Sequence, residues 1–154
     1  ASRSAKFINK NFDGRLSSHL DTPELYEEFK EAAKDIANLY ERLEFSKASR
    51  EIMSLADKAN QYVDSKQPWI LIKENGNEDL VQSICTTSVN LFRVLTIMLM
   101  PIIPGFTKNA LEFLNDEELS WQDIDSPLLD CNVEDFKAII TRIDDSQINK
   151  LLEN

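Results

Sequence analysis

Residues 78–99 read EDLVQSICTTSVNLFRVLTIML, and the reading of this stretch decides the fold. It predicts a long helix from about Glu78 to Leu99 that becomes apolar nearly all round from Leu91 onward. A helix that is apolar on every side must be covered on every side, so this one is expected at the centre of a bundle. Pro101 and Pro104 kink or end it, because proline removes a backbone donor and crowds the preceding turn. The apolar run from Leu91 to Ile103 is interrupted by Arg93 and Pro101 and is too short to span a bilayer.

Working outward, the segments on either side read as helices as well. Ser2 to Phe12 looks like the end of a helix without its beginning, closed by Asp13-Gly14, so the chain is expected to start inside a longer protein. Thr22-Pro23-Glu24 predicts a helix start with a capping hydroxyl, and Leu25, Phe29, Ala32, Ile36 and Tyr40 form an apolar stripe to about Leu43. Ser46 is the expected cap of a third helix reaching about Asp64, with Ala48, Ile52, Leu55, Ala59 and Tyr62 inward. A second, mostly polar stripe on that helix (Arg50, Met53, Asp57, Asn60 and Asp64) points elsewhere. The helix should end before Gln67-Pro68-Trp69, since proline pushes its predecessor out of helical geometry.

Beyond the central helix, a shorter helix is expected from Thr107 to Asn115, then segments around Leu119-Ser120-Trp121 and Leu128-Leu129. Val133 to Ile143 and a closing helix from Ser146 complete the chain. The fold class is all-α, a bundle of about five main helices in a single domain spanning 1–154. Three glycines and five prolines in 154 residues agree with long helices rather than a turn-rich β-protein.

Composition excludes several functions. The formal net charge is −10, whereas a protein gripping nucleic acid through many phosphates is expected to be basic. Any role with RNA must rest on a few placed residues. Cys85, Cys131 and the lone His19 have no metal-ligand spacing and read as two free thiols and an exposed loop residue. There is no phosphate loop, nucleophile elbow or His-Glu-x-x-His, and the acidic pairs Glu27-Glu28, Glu117-Glu118 and Asp144-Asp145 read as solvated surface. No catalytic site or metal site is expected. The N-terminus lacks the apolar stretch of a signal peptide, so the protein is expected to be soluble and cytoplasmic, with no membrane or DNA partner.

Recognition begins at Pro68-Trp69. A Trp directly after a helix-ending proline sits at a corner, where its ring either closes the core or serves as a stacking platform for an unpaired base, worth roughly 1–3 kcal/mol per base. Asp57 and Asp64 are seven residues apart and share one helix face, with Asn60 between them. Arg93 within the apolar helix reads as a core ion-pair partner, and Trp121 as packing for the C-terminal part.

At these residues the chain resembles the anticodon-binding domain of bacterial methionyl-tRNA synthetases. The resemblance is carried by Phe7-Ile8-Asn9-Lys10, Phe12-Asp13-Gly14, Arg50-Glu51-Ile52-Met53, Leu55-Ala56-Asp57, Tyr62-Val63-Asp64, Pro68-Trp69, Asn90-Leu91-Phe92-Arg93-Val94-Leu95 and Arg142-Ile143-Asp144. It implies a reader of the CAU anticodon of methionine tRNA. Trp69 would stack on an unpaired base with Pro68 setting its angle, and Arg3 would contact the wobble cytosine. Arg142 would hold or buttress the anticodon, and Asp57, Asp64 and Asn60 would lie near it. The resemblance further implies an ATP-dependent ligase whose catalytic domain precedes these residues in the same polypeptide, using ATP, Mg²⁺ and often Zn²⁺. No cofactor is expected in these residues themselves. Two other readings stay open: a protein-interaction bundle, and the equivalent domain of another class I synthetase, such as the leucyl or cysteinyl enzyme.

Overall fold

A computed structural model describes residues 2–116 and 119–135. Six helices follow in order: α1 Ser2–Phe12, α2 Pro23–Glu41, α3 Phe45–Lys66, α4 Pro68–Leu71, α5 Glu78–Leu99 and α6 Pro104–Leu114. A short 3-10 turn, Trp121–Asp125, comes last. Five of the helices are longer than two turns, and no strand occurs among the described residues beyond a single bridge between Arg15 and Asn132. The all-α bundle is as expected. The segment from residue 136 onward lies outside the described residues, and with it most of the Val133–Ile143 segment, the expected closing helix from Ser146, Arg142 and Asp144-Asp145; Glu117-Glu118 lies outside too.

The central position of α5 follows from its burial. It touches α1, α2, α3, α4, α6 and the 3-10 turn. Leu91, Val94, Ile97 and Met98 are fully buried. The burial extends further toward the N-terminus than the apolar pattern indicated, taking in Ser83, Thr86, Thr87, Ser88 and Asn90. These polar groups are acceptable inside because they have partners. Thr86 Oγ1 accepts from Ser17 N, Thr87 Oγ1 from Asp21 N, and Ser4 and Ser88 share a hydrogen bond. By length and composition α5 as a whole could cross a membrane, which the shorter run from Leu91 to Ile103 did not suggest; but 83% of its apolar window is buried within the protein. It is the core helix.

Three local expectations are corrected. Thr22 stands at the N-cap of α2, yet its hydroxyl donates to Asp21 Oδ2 at 2.7 Å and does not cap the helix. The third helix starts before Ser46: Leu43 adopts a left-handed φ of 61°, which ends the connection early, and Glu44 becomes the N-cap residue. The inward stripe of α2 is turned by about one residue, with Tyr26, Phe29, Ala33, Ile36 and Leu39 buried while Leu25, Ala32 and Tyr40 are only half-buried. The pattern alone could not set that rotation, because Tyr26 spends its polar end on a hydrogen bond to the Ile124 carbonyl. Pro104 opens α6 rather than merely ending α5, as its fixed φ suits the first helical position.

Arg93 is where the sequence placed it in role. Only 5% exposed, it donates to the carbonyls of Asp123 and Ser126 at 2.7 and 3.1 Å and faces Asp116 and Asp123 carboxylates at 3.3 and 3.8 Å. It fastens the C-terminal segment to α5. Gly14 does the same at the other side. Its φ of 79° and a would-be Cβ only 2.8 Å from the Val133 carbonyl admit no side chain, and the segment after it pairs with residues 130–133.

Candidate functional site

The site forms at the end of the bundle where α1 starts and α3 stops. The α3 helix runs to Lys66 and then breaks as the proline rule requires. Gln67 is left-handed (φ 48°, ψ 55°), and its N–H still donates to Val63 O at 3.0 Å. Pro68 opens the one-turn helix α4 and is buried, so it is a hinge pin in the fold rather than a surface contact. Trp69 follows it and is half-buried.

What meets Trp69 is decided by other helices. Arg3, in the first turn of α1, carries its guanidinium carbon 5.7 Å from the Trp69 ring centroid. The same guanidinium lies 3.7 Å from Asp64 Oδ1, in the last turns of α3. Both charged side chains are mostly exposed, at 76% and 63%. The structure therefore brings Arg3, Asp64, Pro68 and Trp69 together. Among the described residues, the hydrophobic core and the groups packed on it include Trp121 but not Trp69.

Asp57 and Asn60 are exposed on α3, as the polar stripe indicated. Asp57 sits seven residues before Asp64, roughly 10 Å along the helix axis. It also borders an open groove of about 900 Å³ between α2 and α3, with Glu28, Arg42, Lys47, Glu51 and Lys58. That groove is lined by charges of both signs and is not where Trp69 lies; a stacking platform needs a flat open ring, so we place the site at Trp69. Arg142 lies outside the described residues.

The framework beneath the site is an ionic knot around Asp21. Its carboxylate accepts from Lys66 at 2.8 Å, Tyr62 at 2.9 Å and Thr22 at 2.7 Å. Burial pushes the Asp21 carboxyl up, but these hydrogen bonds outweigh it and leave it below the usual carboxylate range. Burial raises the Tyr62 hydroxyl strongly. Tyr62 and Lys66 bracket Asp64 in sequence, so the knot fixes the backbone from which Asp64 projects.

Two features went unforeseen. The Arg3–Asp64 pair joins separate helices, and no spacing in the chain encodes it. The other is Ile70, next to Trp69 in the chain and 45% exposed, while Met53 farther along the stripe is 56% exposed. Met53 was legible as part of the outward stripe; Ile70, inside a single-turn helix, had no periodicity to show it. Among the described residues no group of three or more His, Cys, Asp or Glu could hold a metal ion. Cys85 is buried and its thiol is pushed up to about 12 by burial; Cys131 is half-buried and also raised by burial.

Residues 16–147 match the family described as the anticodon binding domain of methionyl tRNA ligase. The fold is similar to that of the apo form of Mycobacterium tuberculosis methionyl-tRNA synthetase, with a TM-score of 0.85 at 18% identity over 92% of this chain. The same organism's enzyme in complex with methionyl-adenylate aligns with a TM-score of 0.84, also at 18% identity over 92% of the chain. In both cases this chain spans 30% of the length of the larger protein. At that identity the likeness establishes the shared fold.

Proposed function

The chain belongs to the family of anticodon-binding domains of methionyl-tRNA ligases, and from that premise we propose that it reads the CAU anticodon of methionine tRNA. The observation that carries the reading is the convergence of Arg3, Asp64 and Trp69 at one exposed corner. An indole outside the core offers a face on which an unpaired base can lie, a contact tolerant of base identity. Identity then comes from edges. Guanidinium donors suit the O2 and N3 acceptors of cytosine, and a carboxylate accepts from its N4 amino group. Pro68 sets the ring's angle from below.

The acids act partly by rejection. A carboxylate beside a base repels phosphate and leaves an ill-matched edge unpaired, so Asp57 and Asp64 weaken wrong anticodons more than CAU. Asn60 on the same face, and Arg142 near the chain's end, complete the set. This division suits a protein of net charge −10, in which affinity rests on a few contacts rather than on a basic surface.

The wider protein joins methionine to tRNA in an ATP-dependent step, carried out in the cytoplasm by a catalytic domain of the same polypeptide. ATP and Mg²⁺, and in many members of the family Zn²⁺, belong to that domain.

The test uses the two tryptophans. With Trp121→Phe, Trp69 is the single reporter, and a CAU stem-loop should quench it strongly while a stem-loop with an altered wobble base quenches it weakly. Equal quenching by both would favour the corresponding domain of another class I synthetase. No response to either would favour a protein-interaction bundle.

A further inference from the structure

We infer that Asp64 tethers Arg3 across Trp69, so that in the free domain the guanidinium occupies the ring face that a nucleobase takes on binding. The inference rests on the reading of Trp69 as a stacking platform and adds to it a placeholder that must be displaced. Its basis is a three-part geometry. Arg3 lies 5.7 Å above the ring centroid, its Nη1 is 3.7 Å from Asp64 Oδ1, and its side chain is 76% exposed. A guanidinium over the ring and this open to solvent marks a side of the indole that solvent can reach. That is the face a base would need.

A guanidinium is well suited to stand in for a base. It is planar, weakly hydrated and stacks on aromatic faces. The two ends of the tether are held by anchored neighbours rather than by the pair itself. Ser4, next to Arg3, hydrogen-bonds Ser88 on α5 at 2.9 Å. Tyr62 and Lys66, on either side of Asp64, both bind Asp21. The distance between Arg3 and Asp64 is thus a property of how α1 and α3 sit on the bundle.

The tether is weak by design of its surroundings. Both partners are exposed and the contact is long, so the pair is easily exchanged. On binding, a base slides onto the indole, Arg3 swings away from the face, and its donors become available to the edge of the base or to a neighbouring phosphate. Asp64 is in this respect a positioning residue, acting on RNA through Arg3.

Two measurements on the Trp121→Phe chain test this. The first needs no RNA: quenching of Trp69 by neutral acrylamide. Arg3→Ala should raise the quenching constant by roughly twofold, because one of two ring faces is uncovered, and Asp64→Asn should move it most of the way there. An unchanged constant in Asp64→Asn overturns the tether. The second is a double-mutant cycle on affinity for the CAU stem-loop. Asp64→Asn should change affinity by about fivefold or less in the parent, and by clearly less in the Arg3→Ala background. Equal effects in the two backgrounds would mean that Asp64 acts on RNA by direct contact alone, overturning the tether while leaving the stacking reading intact. Failure of the parent to bind any stem-loop would instead overturn the stacking reading, and the tether with it as a device for binding.

Discussion

The two tryptophans are both half-buried, yet they belong to different kinds of surroundings. Trp121 opens a 3-10 turn held by a reciprocal cap between Ser120 and Asp123, meets Tyr40 edge-on at 6.2 Å and packs on the core. Trp69 opens outward from a one-turn helix, stays outside the core cluster and faces an exposed cation. Exposure alone does not separate them. Their neighbours do: a ring packed on the core against another ring is structural, whereas a ring outside the core that faces an exposed, weakly paired side chain is available.

The sharpest way to break this contrast is at Arg93, which fastens the Trp121 region. Arg93→Ala leaves the Asp123 and Ser126 carbonyls without their donor and should destabilise the fold by about 3 kcal/mol, read as a lower midpoint in chemical denaturation. The emission of Trp69 in the folded protein should hardly change. If both tryptophans respond together, the two corners are one cooperative unit and the contrast fails.

Next in size is a reciprocal exchange. Trp69→Ala should weaken binding of a CAU stem-loop by about 1–3 kcal/mol while lowering stability by less than about 1 kcal/mol. Trp121→Ala should do the reverse, costing about 2 kcal/mol of stability with affinity nearly intact. Paired titration and denaturation curves for the two variants decide it.

A smaller effect concerns the knot under the site. The Asp21 carboxyl is depressed in the folded state, so its contribution to stability is complete above the unfolded carboxylate pKa and is lost as pH falls through the lower folded value. Asp21→Asn should therefore flatten the acid side of the stability profile and leave Arg93-dependent stability unaltered. Comparing denaturation midpoints at neutral and mildly acid pH measures this.

The smallest effect is salt. With one or two arginines making the charged contacts to RNA, log K for the stem-loop should fall against log salt with a slope of about −0.7 to −1.4. A much steeper slope would point to a broad phosphate grip and away from edge reading at Trp69.

Much of this was legible in the chain. The ends of α1 at Phe12 and of α5 at Leu99 coincide with the expected ones because Asp13-Gly14 and Pro101 act locally. The outward stripe of α3 was legible because exposure follows the helical period, and all of Arg50, Met53, Asp57, Asn60 and Asp64 are indeed exposed. Arg93 and Trp121 were readable as structural, since a charge inside an apolar helix has few alternatives to a buried partner. Thr22 and Ser46 were misread as caps, because a hydroxyl's partner depends on which other acceptors the fold brings near.

Helix type, the ends of α1 and α5 and the outward face of α3 were therefore settled by the chain alone, through forces acting over four or five residues. Packing decided the rest: the rotation of α2, the burial of the polar half of α5, and above all the meeting of Arg3, Asp64 and Trp69. Those three come from different helices, and their approach is set by how α1 and α3 seat on α5. No interaction between near neighbours in sequence carries that information.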